Sequence, residues 1–181
     1  MTGRMAIGWM LWSGCAKPDE STAPGDSGAA IEPAVEGPCG SAPIALEAGT
    51  GEDAFQPLTD GDPIEVIHGA QDGHHILGSL RLRNTDEIAT IHYWIEHPAE
   101  DRVVSDQVYR TQLVPIAGAD GCSFESVGMF AYLGRIDPDS AAFLDEEVVV
   151  HMDVEDAAGR SATAAVTVIP YLTVVERDPV R

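Results

Sequence analysis

Residues 63–84, PIEVIHGAQDGHHILGSLRLRN, alternate apolar and polar side chains on both sides of a glycine-rich turn. In the first arm Ile64, Val66 and His68 share one face, and Glu65 and Ile67 the other. In the second arm Ile76, Leu80 and Leu82 lie with Gly78 on one face, opposite Leu77, Ser79, Arg81 and Arg83. A return at every second residue is the period of a pleated strand, whereas a helix repeats at three and four. The stretch therefore reads as strand, tight turn, strand, and the rest of the chain reads as further strands laid against this pair.

The same period recurs downstream. Ile91, Tyr93 and Ile95 oppose His92, Trp94 and Glu96; Tyr109, Thr111 and Leu113 oppose Val108, Arg110 and Gln112. Val148, Val150, Met152 and Val154 oppose Val149, His151, Asp153 and Glu155. Shorter strands are expected around Ile44 and Leu46 and over 55–58, and another over 122–132 with Phe124, Val127, Met129 and Phe130. A long β-branched run fills 163–175. Within it Pro170, which has no N–H for a ladder, marks a bulge, an edge or a strand end. Turn residues separate these runs, GADG at 118–121 and DAAG at 156–159, the second joining two strands as a hairpin. Residues 139–145 have room for one short turn of helix. Eight or nine strands with no convincing helix predict an all-β fold, a two-sheet antiparallel sandwich. A jelly roll or a partly open barrel is the alternative.

The N-terminal residues MTGRMAIGWMLWSGC place one positive charge, Arg4, before a short apolar run and two small residues before Cys15. This layout resembles the lipobox leader of bacterial lipoproteins. The resemblance implies cleavage before Cys15, acylation of that cysteine, and a membrane anchor made of lipid alone. Residues 16–41 are rich in Pro, Gly, Ser, Ala and acids and bury too little to offset chain entropy, so a flexible tether is expected. The expected organisation is a signal peptide over 1–14, an acidic tether over 15–41, a β-sandwich domain over 42–175 and a short tail over 176–181.

Two further resemblances bear on the domain. Residues 146–168, EEVVVHMDVEDAAGRSATAAVTV, resemble the closing hairpin of immunoglobulin-like domains, which implies a Greek-key sandwich. The acidic tether, GTGE at 49–52, the L-x-D-G-D segment at 58–62 and the G-x-Q-x-G-x-H-I turn at 69–76 resemble lipoproteins of myxobacterial type. That likeness implies an exported β domain in the cell envelope, on the outer membrane or the cell surface, and no activity.

Charge narrows the partners. Ten Lys and Arg stand against thirty Asp and Glu, a formal net charge of −20. Such a chain repels phosphate backbones, which argues against nucleic acid, and repels anionic membrane surfaces. A protein or glycan ligand, cations, or solubility alone are the compatible readings.

With Cys15 assigned to lipid by the resemblance, Cys39 and Cys122 remain. In an oxidising compartment they are expected to form a disulfide; two free thiols, or a thiol on a metal, are the rival readings. Six histidines are many for so acidic a chain. His74 and His75 sit at the turn with side chains pointing oppositely, and His68 faces one of them across the hairpin. Two or three imidazoles there can take Cu(II), Zn(II) or Ni(II), although no H-x-x-x-H or C-x-x-C spacing accompanies them. Ordinary hydrogen-bonded strand histidines are the plainer reading.

The acidic loops around Asp60 and Asp62, and around Asp137, Asp139, Asp145, Glu146 and Glu147, offer oxygen ligands for calcium but lack its loop pattern. G-x-S-x-G, H-E-x-x-H, P-loop and dinucleotide fingerprints are missing from the sequence. Ser79, His92 and Asp153 make only a hypothetical triad. Trp94 beside Tyr93 suggests one ring in the core and one partly exposed. The expected function is a lipid-anchored extracytoplasmic binding or structural module, not an enzyme and without a cofactor. A copper- or zinc-binding surface protein comes second and a hydrolase third.

Overall fold

Alternation becomes architecture most plainly in the strand Val148–Asp156, labelled β9 below, whose Val148, Val150, Met152 and Val154 are buried while the residues between them face out. The computed structural model describes residues 39–69, 73–135 and 142–173. The expected leader with Cys15, most of the expected tether, Asp137, Asp139 and the expected C-terminal tail lie outside the described residues. The described residues belong to one unit, Ala34–Arg181.

Ten strands follow in chain order: β1 (Ala45–Thr50), β2 (Gln56–Pro57), β3 (Asp62–His68), β4 (His74–Arg83), β5 (Ile88–His97), β6 (Arg102–Gln112), β7 (Val114–Pro115), β8 (Ser123–Gly134), β9 and β10 (Ser161–Leu172). Two of them are only two residues long, which accounts for the excess over the expected eight or nine. The described residues contain one 3₁₀ turn, Pro98–Glu100, and no α-helix. The strands form a single curled, open sheet. Its main path runs β2-β1-β4-β3-β10-β9-β5-β6, and β8 pairs with the other edge of β4 and with β7.

Two strands change partners and so bend the sheet. β4 pairs with β3 through His74, His75 and Ile76, then with β1 through Ser79 to Arg83. Leu77 lies at the fork, where its carbonyl accepts a hydrogen bond from the Thr50 hydroxyl at 2.7 Å. β10 pairs antiparallel with β9 as far as Val168 and then runs parallel to β3 from Val168 to Leu172. Pro170 sits beyond the last β9 pair, on a side where no ladder N–H is required, and its carbonyl accepts from Asp145 N–H. Of the three roles expected for this proline, the edge is the one found.

The core lies inside the curl: Ile64, Val66, Ile76, Leu80, Leu82, Ile91, Tyr93, Ile95, Val148, Val150, Met152 and Val168 are all at most 2% exposed. Tyr93 is the largest of them, and burial, with Tyr109 nearby, drives its hydroxyl pKa above the ordinary range. Gly78 makes room for this ring: a Cβ there would stand 2.6 Å from Tyr93 Cζ and 3.1 Å from Met152 Cε.

On β8 the ladder with β4 slips by one residue between Met129 and Ser126, a bulge built on Gly128 at φ +74°. Buried Ser79 holds the bulge, accepting from Gly128 N–H and donating to Gly51 carbonyl, both at 3.1 Å.

Two links tie down the N-terminal end. Cys39 is disulfide-bonded to Cys122, across 83 residues of sequence. Cys39 and Gly40, expected to end the tether, are thus fastened to the strands. Next to it Arg160 donates through Nη1 to Gly40 carbonyl at 2.6 Å, and through Nε and Nη2 to Asp156 Oδ2 at 2.9 and 2.6 Å. Asp156 also accepts from Ala158 and Arg160 N–H, closing the β9–β10 turn.

Burial alone would raise the Asp156 carboxyl, but the Arg160 and Ala158 hydrogen bonds and the Arg160 charge outweigh it and hold the pKa below its usual value. A depressed carboxylate stabilises the fold above the unfolded pKa of about 3.9 and loses that contribution as pH falls through the folded value. Asp156→Asn is expected to cost about 1–2 kcal/mol at neutral pH. In urea unfolding, the gap between the variant and the parent should shrink below about pH 4.

Candidate functional site

Register, not sequence spacing, assembles the most distinctive surface feature. Trp94 on β5 lies directly opposite His151 on β9, and His92 is two residues back on the same face. Trp94 and His151 stack with ring centroids 4.5 Å apart and planes within 2°; His92 and Trp94 stack at 4.4 Å and 24°. The three rings stand as a row on the outer face of β6, β5, β9 and β10, while Tyr93, one position away, fills the core. The expected division of the two aromatic residues between core and surface is what the strand produces.

Each imidazole stands beside a carboxylate. His92 Nε2 is 2.8 Å from Asp106 Oδ1, so this nitrogen carries the proton that the carboxylate accepts. His151 Nε2 lies 3.3 Å from Glu96 Oε2, close enough for charge attraction, but this nitrogen is buried and makes no hydrogen bond among the described residues. Asp153 is paired with His92 across the ladder, and Glu155 with Thr90. The stacking surface of the indole is engaged by two imidazoles. What borders the row toward solvent is the exposed carboxylates Asp106 and Glu96, which suit a cationic ligand.

The turn histidines divide as the alternation requires. His68 and His74 are directly opposed across β3 and β4, with rings 4.9 Å apart. His75 points to the other face and meets Phe130 edge-on at 4.8 Å. Desolvation lowers the His75 pKa, with Glu52 acting against it and His74 adding to it. The three expected metal ligands therefore do not converge; a pair remains. Among the described residues, no group of three or more His, Cys, Asp or Glu is placed to hold a metal ion.

Other candidates have structural duties. Ser79 is buried in the β4–β8 half and engaged by Gly51 and Gly128, whereas His92 faces outward to Asp106, so Ser79, His92 and Asp153 do not assemble. Asp62 accepts from Thr59 N–H and hydroxyl at 2.8 Å, and Asp60 from Thr167 N–H at 2.9 Å, so both carboxylates brace loops.

Sequence reasoning passed over His97. Its side chain is 1% exposed, with Nε2 2.9 Å from Glu146 Oε2 and Nδ1 3.5 Å from Glu100 Oε2. The inward phase of the 91–95 run, extended by one step, was the available signal. No protein-family model matches this chain, and no curated protein matches it.

Proposed function

We infer that this chain is a lipid-anchored binding module of the bacterial envelope whose ligand face is the outer surface of β6, β5, β9 and β10. The observation that carries the reading is the row His92–Trp94–His151 with its carboxylate border. The Cys39–Cys122 bond is in keeping with an oxidising compartment, and the lipobox-like leader with an anchor at Cys15. The strand pairings support an immunoglobulin-like sandwich with β1, β4, β8 and β7 on one side and β3, β10, β9, β5 and β6 on the other. The short antiparallel β3–β4 pair, His68 with His74 to Val66 with Ile76, is the seam between them.

The face carries its own reporter. The chain has three tryptophans, Trp9, Trp12 and Trp94, and cleavage before Cys15 leaves Trp94 alone. In residues 39–173, polylysine is expected to shift Trp94 emission, and added salt or Asp106→Asn with Glu96→Gln to weaken the effect. A neutral glycan should leave the emission unchanged. Silence toward polylysine sinks the cationic-ligand reading, and a response to the glycan redirects it. Incorporation of labelled palmitate that survives Cys15→Ser removes the anchor.

A second reading, a copper- or zinc-binding surface protein, is supported by the His68–His74 pair, whose rings lie 4.9 Å apart. Calorimetric metal binding that persists in His68→Ala with His74→Ala ends it.

A further inference from the structure

Among the described residues, one edge of β8 has no strand partner over most of its length. Along its other edge β8 pairs with β4, but on this side only Phe124 and Glu125 pair, with the two-residue β7. Beyond the Gly128 bulge, the Tyr109 hydroxyl from β6 reaches across and donates to Phe130 carbonyl. That contact fixes which groups face the open side. N–H and C=O of one strand residue point the same way and alternate along the strand, so those of Phe130 and Tyr132 face outward and those of Met129 and Ala131 face β4.

A second observation agrees. Leu77, opposite Phe130, turns its carbonyl away from β8 toward Thr50, as a non-hydrogen-bonded pair requires. The side chains at the same two positions are exposed, Phe130 at 53% and Tyr132 at 59%, although both are large and aromatic. Residues 127–134, VGMFAYLG, carry no charge in a chain of −20. Natural edge strands are commonly guarded by lysine, proline or inward charge, and after its bulge this one has none of these.

We propose that the open edge of β8 at Phe130 and Tyr132 accepts an extended segment of a cationic partner polypeptide as an additional strand. The unpaired backbone groups call for an extended main chain. The exposed aromatic rings call for apolar side chains at alternate positions of the incoming segment. The charge of the whole molecule favours a partner that is positive outside that segment and disfavours a second copy, which would bring −20 against −20. The incoming strand competes with the Tyr109 hydroxyl for Phe130 carbonyl, so the bridge is a removable plug. This surface is separate from the His92–Trp94–His151 face and does not depend on it.

The test is amide exchange by NMR on residues 39–173 with a short synthetic peptide of alternating valine and threonine closed by lysines at both ends. Exchange at Phe130 and Tyr132 should slow by at least about tenfold, while Met129 and Ala131, already bonded to β4, change little. The same core closed by glutamates should give no protection. Tyr132→Pro removes an outward N–H without touching the β4 ladder and should abolish binding. Tyr109→Phe frees Phe130 carbonyl and should tighten binding several-fold, which decides the matter if the proline variant does not fold. No protection at Phe130 and Tyr132, equal affinity of parent and Tyr109→Phe, or protection that rises with protein concentration without peptide each overturns the proposal, the last by assigning the edge to a second copy. Trp94 emission that responds while these amides do not would place the peptide on the other face.

Discussion

Replacing Cys39 and Cys122 by serine lowers the stability of the folded unit by about 4–5 kcal/mol, the largest single effect expected in this protein. The bond closes a loop of 83 residues, and in the unfolded chain that closure removes conformational freedom that the native state has already lost. The native state also loses an attachment, because the bond holds Gly40 where its carbonyl receives Arg160. The melting temperature should fall by roughly 10–15 °C for a unit of this size. Thermal unfolding of the parent with and without reductant, beside the double serine variant, measures it. The effect should not add simply to that of Asp156→Asn, since both act on Arg160. A loss below about 1 kcal/mol would mean that the unfolded chain is not constrained by this closure.

Gly78→Val is expected to cost about 3 kcal/mol or more. The first added carbon already overlaps Tyr93 Cζ and Cε1, at 2.6 and 2.7 Å, and the remaining methyl groups must also enter a space shared with Met152. Tyr93 and Met152 are fully buried, so neither can swing to solvent, and an interior at crystal-like density has no slack to take up the volume. A smaller side chain in place of the ring should partly restore the loss, so the pair Gly78→Val with Tyr93→Leu should be less destabilised than the sum of the two single variants. Urea unfolding of the four proteins forms the cycle. Additive losses would show that the glycine is kept for its backbone and not for the ring.

Much of the fold was legible because strands announce themselves locally. Val148, Val150, Met152 and Val154 name their own buried face, as do Ile91, Tyr93 and Ile95, because alternation and burial are the same fact on a pleated strand. The DAAG hairpin could be read from its turn residues, and the pairing of Cys39 with Cys122 from there being no third cysteine to compete once Cys15 was set aside. The β8 bulge was not legible: Phe124, Val127, Met129 and Phe130 read as one strand, and only the pairing with β4 shows the one-residue slip at Gly128, which Ser79 holds.

The candidate site divides in the same way. That His92 and Trp94 share an outward face follows from spacing two apart, as does the separation of His74 from His75. That His151 completes the row, and that Asp106 steers His92, follows only from the pairing of β5 with β9 and β6. The primary structure alone settled strand identity, facing and the few turn positions, because these depend on neighbours within a handful of residues. Which strand lies beside which, where β4 and β10 change partners, and which edge of β8 stays open were decided by packing the whole chain around Tyr93 and Gly78. Contacts between residues tens of positions apart have no local pattern to record them.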